Sequence, residues 1–548
     1  MTARLSRNNT ACECAKLGHR CLKELKPVQG WALYEAGIAG GLLGAIGVGS
    51  GKTILDILAP LVVKDCRLAV LLVPPNLVAQ LMREYKALSQ HFRVPSIVFK
   101  EQGSIVPGTP VLHVMPYSLF SRAQSTELLE TLKPDLIIAD ECHKLKHKNS
   151  ATTSRVLRYF SAHPTTRLCA WSGTITTKSI KDYAHLLKFA LRESSPLPLD
   201  YNVLEEWSLA IDPNDWPAPE GSLKVLMSQG ETVQQGYYRR LVETRGVVAT
   251  KGGSVDASII INERQAPPMP AQVKTALKDL RQTWTRPDGE ELVSALDVSR
   301  VAHELACGFY YRWIYPRKES AKVIDEWFRV RGLWNKELRE KLKHRLPHLD
   351  SPLLCTNAAQ RAHDKYKGPL PVWQSEYFEE WQAVKETVQP ETEAVWLSDF
   401  LVLDSAKFGT HSRGIVWFDH AAFGHEVSRV SGLPYHGGGP KAEQAILAER
   451  GDRSLVVSIH AHGVGRDGLQ RHFDTQLVTS PPSSGGVWEQ LLGRLHRQGQ
   501  ESDEVTTEVY RHTEEVRSSV DSALLQARYI EDTLGTYQKL LLATIGWE

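Results

Sequence analysis

The chain has 548 residues, of which 42% are hydrophobic and 23% charged, with a formal net charge of +2. That length exceeds one ordinary core, so more than one domain is expected, and no apolar stretch is long enough to span a bilayer. The balanced charge excludes neither nucleic acid nor small anions as partners, because a near-neutral chain can still gather its cations on one face.

Met1 to Thr10 is polar and lacks a signal-peptide core, and the cysteines are scattered. An intracellular, cytoplasmic location without a secreted disulfide framework is therefore expected. Within a first segment, residues 1–24, Cys12, Cys14, His19 and Cys21 set four soft or borderline ligands in one short loop. They form a candidate Zn²⁺ set, although the Cys-x-Cys and His-x-Cys spacings are tighter than the usual gaps. Free thiols are the alternative. Gln29 follows in Leu25-Lys-Pro-Val-Gln-Gly-Trp31. Its side chain carries a donor and an acceptor that suit the edges of an adenine ring, and a polar helix-start residue would look the same.

The stretch Gly44-Ala-Ile-Gly-Val-Gly-Ser-Gly-Lys-Thr53 is the one around which the chain is organised. Its glycines run into Lys52 and Thr53, and Ile54, Leu55, Ile57, Leu58 and Leu61 then carry helical apolar spacing. A Gly-rich turn opening a helix can wrap Gly47, Gly49, Ser50 and Gly51 around a phosphate. Lys52 then reaches the outer phosphates and the Thr53 hydroxyl helps to hold Mg²⁺. Ile46 stands where the strict spacing calls for glycine.

Apolar runs then alternate with amphipathic ones, as βα units of a parallel sheet do. Arg67 to Val73, Val111 to Met115, Asp135 to Ala139 and Arg167 to Trp171 read as buried strands. The third ends in Asp140-Glu-Cys-His143, where ligands bind in open α/β sheets. Asp140 can hold Mg²⁺ and Glu141 can orient or deprotonate the attacking water. The fourth ends in Ser172-Gly-Thr174. A Pro-rich irregular passage runs to Gly221, and a helix over Val233 to Val242 and an alternating run over Ser258 to Glu263 follow.

Residues 284–396 read as an insertion that holds seven of the fourteen tryptophans. From Arg300 to Arg345 there are twelve Lys or Arg against six Asp or Glu. Interleaved rings and cations suit a nucleic-acid surface, and a helical subdomain with an aromatic core reads the same way. Strands resume at Ile415 to Phe418, Leu455 to Ile459 and Gln476 to Thr479. Gln490, Arg494 and Arg497 have the spacing of one helix face, and arginine suits the spreading of phosphate charge. Glu514 to Leu542 reads as one long amphipathic helix.

In this order, Gly47 to Thr53, Asp140 to His143, Ser172 to Thr174, Gly463-Val-Gly465 and Gln490-x-x-Gly-Arg-x-x-Arg497 resemble the motifs of superfamily two helicases. The ending Gly-Arg-Leu-His-Arg-Gln-Gly-Gln500 resembles the Snf-type branch of DNA translocases, in the compact form that phages and prophages carry. The resemblance implies an α/β fold of two RecA-like parallel-sheet lobes, residues 25–250 and 251–548, the second holding a mostly helical insertion. It also implies ATP and Mg²⁺ between the lobes and double-stranded DNA across both, in a bacterial host if the chain is phage-encoded.

By motif position it assigns Gln29 to adenine, Lys52 and Thr53 to phosphate and Mg²⁺, and Asp140 and Glu141 to metal and water. Arg494 and Arg497 become arginine fingers, Gln490 a partner of the attacking water, and Gly465 and Asp467 part of the nucleotide site. Pro74 to Leu77, Pro116-Tyr117 and Gly463 to Gly468 are expected to touch the DNA backbone or couple it to ATP. Ile175 replaces a usual proline and Leu81 a usual tryptophan. A strand-separating helicase and a nucleic-acid scaffold with a non-cycling nucleotide site are the competing readings.

Overall fold

The computed structural model describes residues 1–7, 12, 23–47, 49–100, 102–103, 105–122, 127–148, 150–176, 178–213, 218–219, 221–250, 255, 257–292, 294–343, 349, 351–366, 375, 377–463 and 468–547. Two parallel sheets organise them. The first holds β1 (Leu42–Ala45), β2 (Leu68–Val73), β3 (Ser96–Val98), β4 (Val111–Pro116), β5 (Leu136–Asp140), β6 (Arg167–Ser172) and β7 (Val247–Ala249). Its order is β3-β4-β2-β5-β6-β1-β7. The strand Leu-Ala-Val-Leu-Leu-Val of β2 is apolar throughout because helices cover both faces of the sheet, as parallel pairing requires.

β8 (Ser258–Arg264) opens the second sheet, which is completed by β11 (Ile415–Phe418), β12 (Tyr435–His436), β13 (Leu455–Ser458), β14 (Thr475–Val478), β15 (Glu504–Tyr510) and β16 (Thr544–Ile545). Its order is β12-β13-β11-β14-β15-β8-β16. Between β8 and β11, the strands β9 (Phe309–Ile314) and β10 (Glu391–Trp396) pair antiparallel as a stem. The α/β class and the two parallel-sheet lobes expected from the sequence are both present.

Within 284–396, helix Ala295–Ala306 packs into the second lobe's core through Val301 and Leu305. The helices carried between the stem strands, Ala321–Lys343, Pro352–Tyr366 and Phe378–Val384, have a small core of their own. Trp334 and Phe378 lie in it, and Trp327 is buried with the Arg331 guanidinium 4.8 Å from its ring. These aromatic groups are largely structural.

The C-terminal helix spans Glu514–Leu534 and stops there, short of the expected Leu542. Gly535 takes φ +64°, a left-handed conformation that ends the helix, and a Cβ at that position would strike the Tyr238 ring. This helix belongs to both lobes. Val520, Ala523 and Ala527 pack in the second lobe's core, and Ile530 and Leu534 pack in the first. Helix Tyr201–Ile211, capped by Asp200, occupies the passage expected to be irregular.

Candidate nucleotide site

The short strand β1 delivers the chain to the Gly-rich loop, and helix Lys52–Leu58 leaves it. Gly49 (φ +86°) and Gly51 (φ +75°) both sit in the left-handed region, which glycine adopts without steric cost. Ile46 is 1% exposed and part of the first lobe's core, so the departure from strict spacing is a packing residue. Its carbonyl accepts from Lys52 Nζ at 3.2 Å. Gly47 N donates to Thr250 Oγ1 at 2.9 Å, a tie from the loop to the end of β7.

Strand register brings the second element alongside. Ala45 of β1 pairs with Ser172 of β6, and Trp171 of β6 pairs with Asp140 of β5, so three strands end on one rim. Glu141 then takes φ +50°, uncommon outside glycine, and the turn sets its carboxylate 3.5 Å from Lys52 Nζ. Ser172 Oγ donates to Glu141 Oε2 at 2.7 Å, and His143 Nδ1 lies 3.3 Å from the same oxygen.

These contacts separate the two neighbouring acids. Burial opposes charge on Glu141, but Lys52, His143 and Ser172 outweigh it and hold the carboxyl well below the usual range. Asp140 is pushed up to about 7 by burial and by Glu141, with Lys52 only partly offsetting them. Tyr117 is buried, and its hydroxyl donates to Asp140 O at 2.7 Å, a tie between the Pro116-Tyr117 turn and the acidic strand end. Leu81, where a tryptophan is usual, is a core residue.

Asp56 is the acid that sequence reasoning missed. It lies on the cleft-facing side of helix Lys52–Leu58, 1% exposed, and accepts from Trp171 Nε1 at 2.9 Å. Burial and Asp140 raise its pKa well above the carboxylate range. A charged residue among Leu55, Ile57 and Leu58 was the available signal.

The opposite wall comes from the second lobe. Helix Gly485–Leu492 carries Gln490 and stops at Gly493, so Arg494 and Arg497 stand on the turns that follow it. This corrects the expected single helix face. Arg494 Nε donates to Gln490 O at 3.0 Å, and the two walls enclose a cleft of about 600 Å³. Lys52, Thr53, Asp140 and Glu141 line it from one side and Gln490, Arg494 and Arg497 from the other. Gln29 lies against the Gly-rich loop, with its amide bonded to Ser50 O and Gly51 O.

Residues 38–174 match the family model described as Type III restriction enzyme, res subunit. The matched span contains the Gly-rich loop, Asp140–Glu141 and Ser172–Thr174. That family lies within helicase superfamily two, and its domain is RecA-like. The match supports an ATP-dependent motor on nucleic acid in general, with ATP and Mg²⁺ as its usual cofactors. No curated protein matches the chain.

The oxygen donors of Thr53 and Asp140 are of the kind Mg²⁺ takes, and Lys52 has the charge and reach for phosphate. Gly465 and Asp467 lie outside the described residues, as do Cys14, His19 and Cys21. Cys12 is buried, and no group of three metal-ligating side chains occurs among the described residues, so zinc gains no support. No described helix is long and apolar enough to cross a membrane.

Proposed function

We propose that the chain is a DNA-stimulated ATPase that moves along duplex DNA, its lobes closing over the nucleotide and reopening after hydrolysis. The observation that carries this reading is the shared cleft, with Lys52 and Glu141 on one wall and Arg494 and Arg497 on the other.

Bound MgATP would supply the phosphoryl group that is transferred to water. Lys52 exchanges Glu141 for phosphate oxygens, a charge-assisted contact of the same kind. Glu141 thereby loses its strongest electrostatic partner and regains basicity, and its carboxylate takes a proton from the attacking water. Thr53 and Asp140 would hold Mg²⁺, and motif position alone assigns Gly465 and Asp467 to the nucleotide. Gln490 orients the water, and Arg494 and Arg497 spread the charge of the transferring group. Because these three come from the second lobe, turnover depends on how the lobes sit.

The Snf-type ending, Gly493 to Gln500, favours travel on duplex DNA over strand separation. Displacement of a third strand from a triplex, without unwinding of a forked duplex, is the expected result. Unwinding of the fork would point to the strand-separating alternative.

A further inference from the structure

We propose that the turn from Lys26 to Gln29 is a clasp on the phosphate loop and does not read the nucleobase, so that the cleft selects nucleoside triphosphates by their phosphates and accepts the different bases alike. The inference rests on the nucleotide-hydrolase reading above.

Gln29 is 2% exposed, and both of its amide hydrogens are taken up within the chain. Nε2 donates to Ser50 O at 2.9 Å and to Gly51 O at 3.3 Å, while Oε1 accepts from Lys26 N at 2.9 Å. An amide carries two hydrogens, so Gln29 has none left for the ring nitrogen of a purine. Lys26 Nζ adds Gly49 O at 3.3 Å. Three successive loop carbonyls are therefore turned toward the clasp. The C=O and N–H of one trans peptide unit point opposite ways, so the N–H groups of Gly51 and Lys52 face away from it.

Gly51 shows how closely the same amide approaches the loop. A Cβ at this position would come within 2.5 Å of Gln29 Nε2, so the amide approaches the loop as closely as a bare backbone permits. Lys23, Lys26 and Gln498, which also line the cleft, are long and exposed. Lys26 Nζ is bonded to Gln498 Oε1 at 3.1 Å, across the lobes.

The test measures kcat and KM for ATP, GTP, CTP and UTP with duplex DNA, together with the affinity of Glu141→Gln protein for fluorescent N-methylanthraniloyl ATP and GTP. A site that hydrogen-bonds a base rejects the wrong one by far more than about tenfold, so kcat/KM values within about tenfold of each other are expected. Gln29→Ala and Gln29→Glu should weaken all four nucleotides by one common factor, chiefly through KM, and leave the ratios unmoved. A wild-type preference for ATP over GTP beyond about tenfold, or a loss confined to ATP in Gln29→Ala, overturns the proposal. Should both variants fail to fold, the wild-type ratios decide alone. Equal binding of both fluorescent nucleotides without any hydrolysis would support the clasp and refute the hydrolase reading.

Discussion

Ser172 and Glu141 are joined by a hydrogen bond of 2.7 Å that ties the end of β6 to the carboxylate leaving β5. The same hydroxyl accepts from Thr174 N at 3.1 Å, and Thr176 Oγ1 donates to Ser179 O at 2.8 Å. Ser179 Oγ donates to Asp212, which also accepts from Tyr529 on the C-terminal helix at 2.7 Å. These bonds, joined between Thr174 and Thr176 through the backbone of buried Ile175, connect the nucleotide site to the helix that packs in both lobes.

Ser172→Ala removes a donor from the charged form of Glu141. The same bond aims the carboxylate, and a misaimed base loses rate, so kcat should fall by on the order of tenfold. The charged carboxylate loses support, its pKa rises, and the acidic limb of the kcat/KM profile moves to higher pH. A pH–rate profile checks both effects.

Asp140→Asn should abolish hydrolysis and stabilise the nucleotide-free protein above neutral pH. With its pKa pushed up to about 7 from 3.8, Asp140 binds more protons folded than unfolded, so its contribution to stability falls as pH rises between those values. The amide escapes this loss. Thermal unfolding without Mg²⁺ should favour the variant at pH 8 by on the order of 1 kcal/mol, and by much less at pH 5.

Tyr529→Phe deletes a buried bond to Asp212 at a cost of about 1 kcal/mol. It should lower the melting temperature slightly. Because that connection ends at this residue, DNA stimulation should fall while hydrolysis without DNA is kept. Phosphate release with and without DNA measures the difference.

The parts legible in the sequence were those set by local pattern. β2 and β5 read as strands because burial on both faces demands unbroken apolar runs, and Asp140–Glu141 stood out at the end of one. The four-residue β1, Leu-Leu-Gly-Ala, is too short to carry a pattern, and the prolines flanking Tyr201–Ile211 concealed a helix. The spacing of Gln490, Arg494 and Arg497 suggested one helix face, but Gly493 ends the helix and the two arginines reach the cleft from turns. Long-range partners left no trace: nothing near Gln29 announces that its amide would be taken up by a loop more than twenty residues on.

On the proposed reading, both walls of one cleft act on a nucleotide under the control of DNA. Phosphate release by wild type, Glu141→Gln and Arg497→Ala, with and without duplex DNA, tests it most directly. Wild type should be stimulated by duplex. Glu141→Gln should lose at least about a hundredfold in turnover while still binding ATP, and Arg497→Ala should lose turnover more than affinity. Wild-type hydrolysis indifferent to DNA, or full turnover in either variant, would contradict the account.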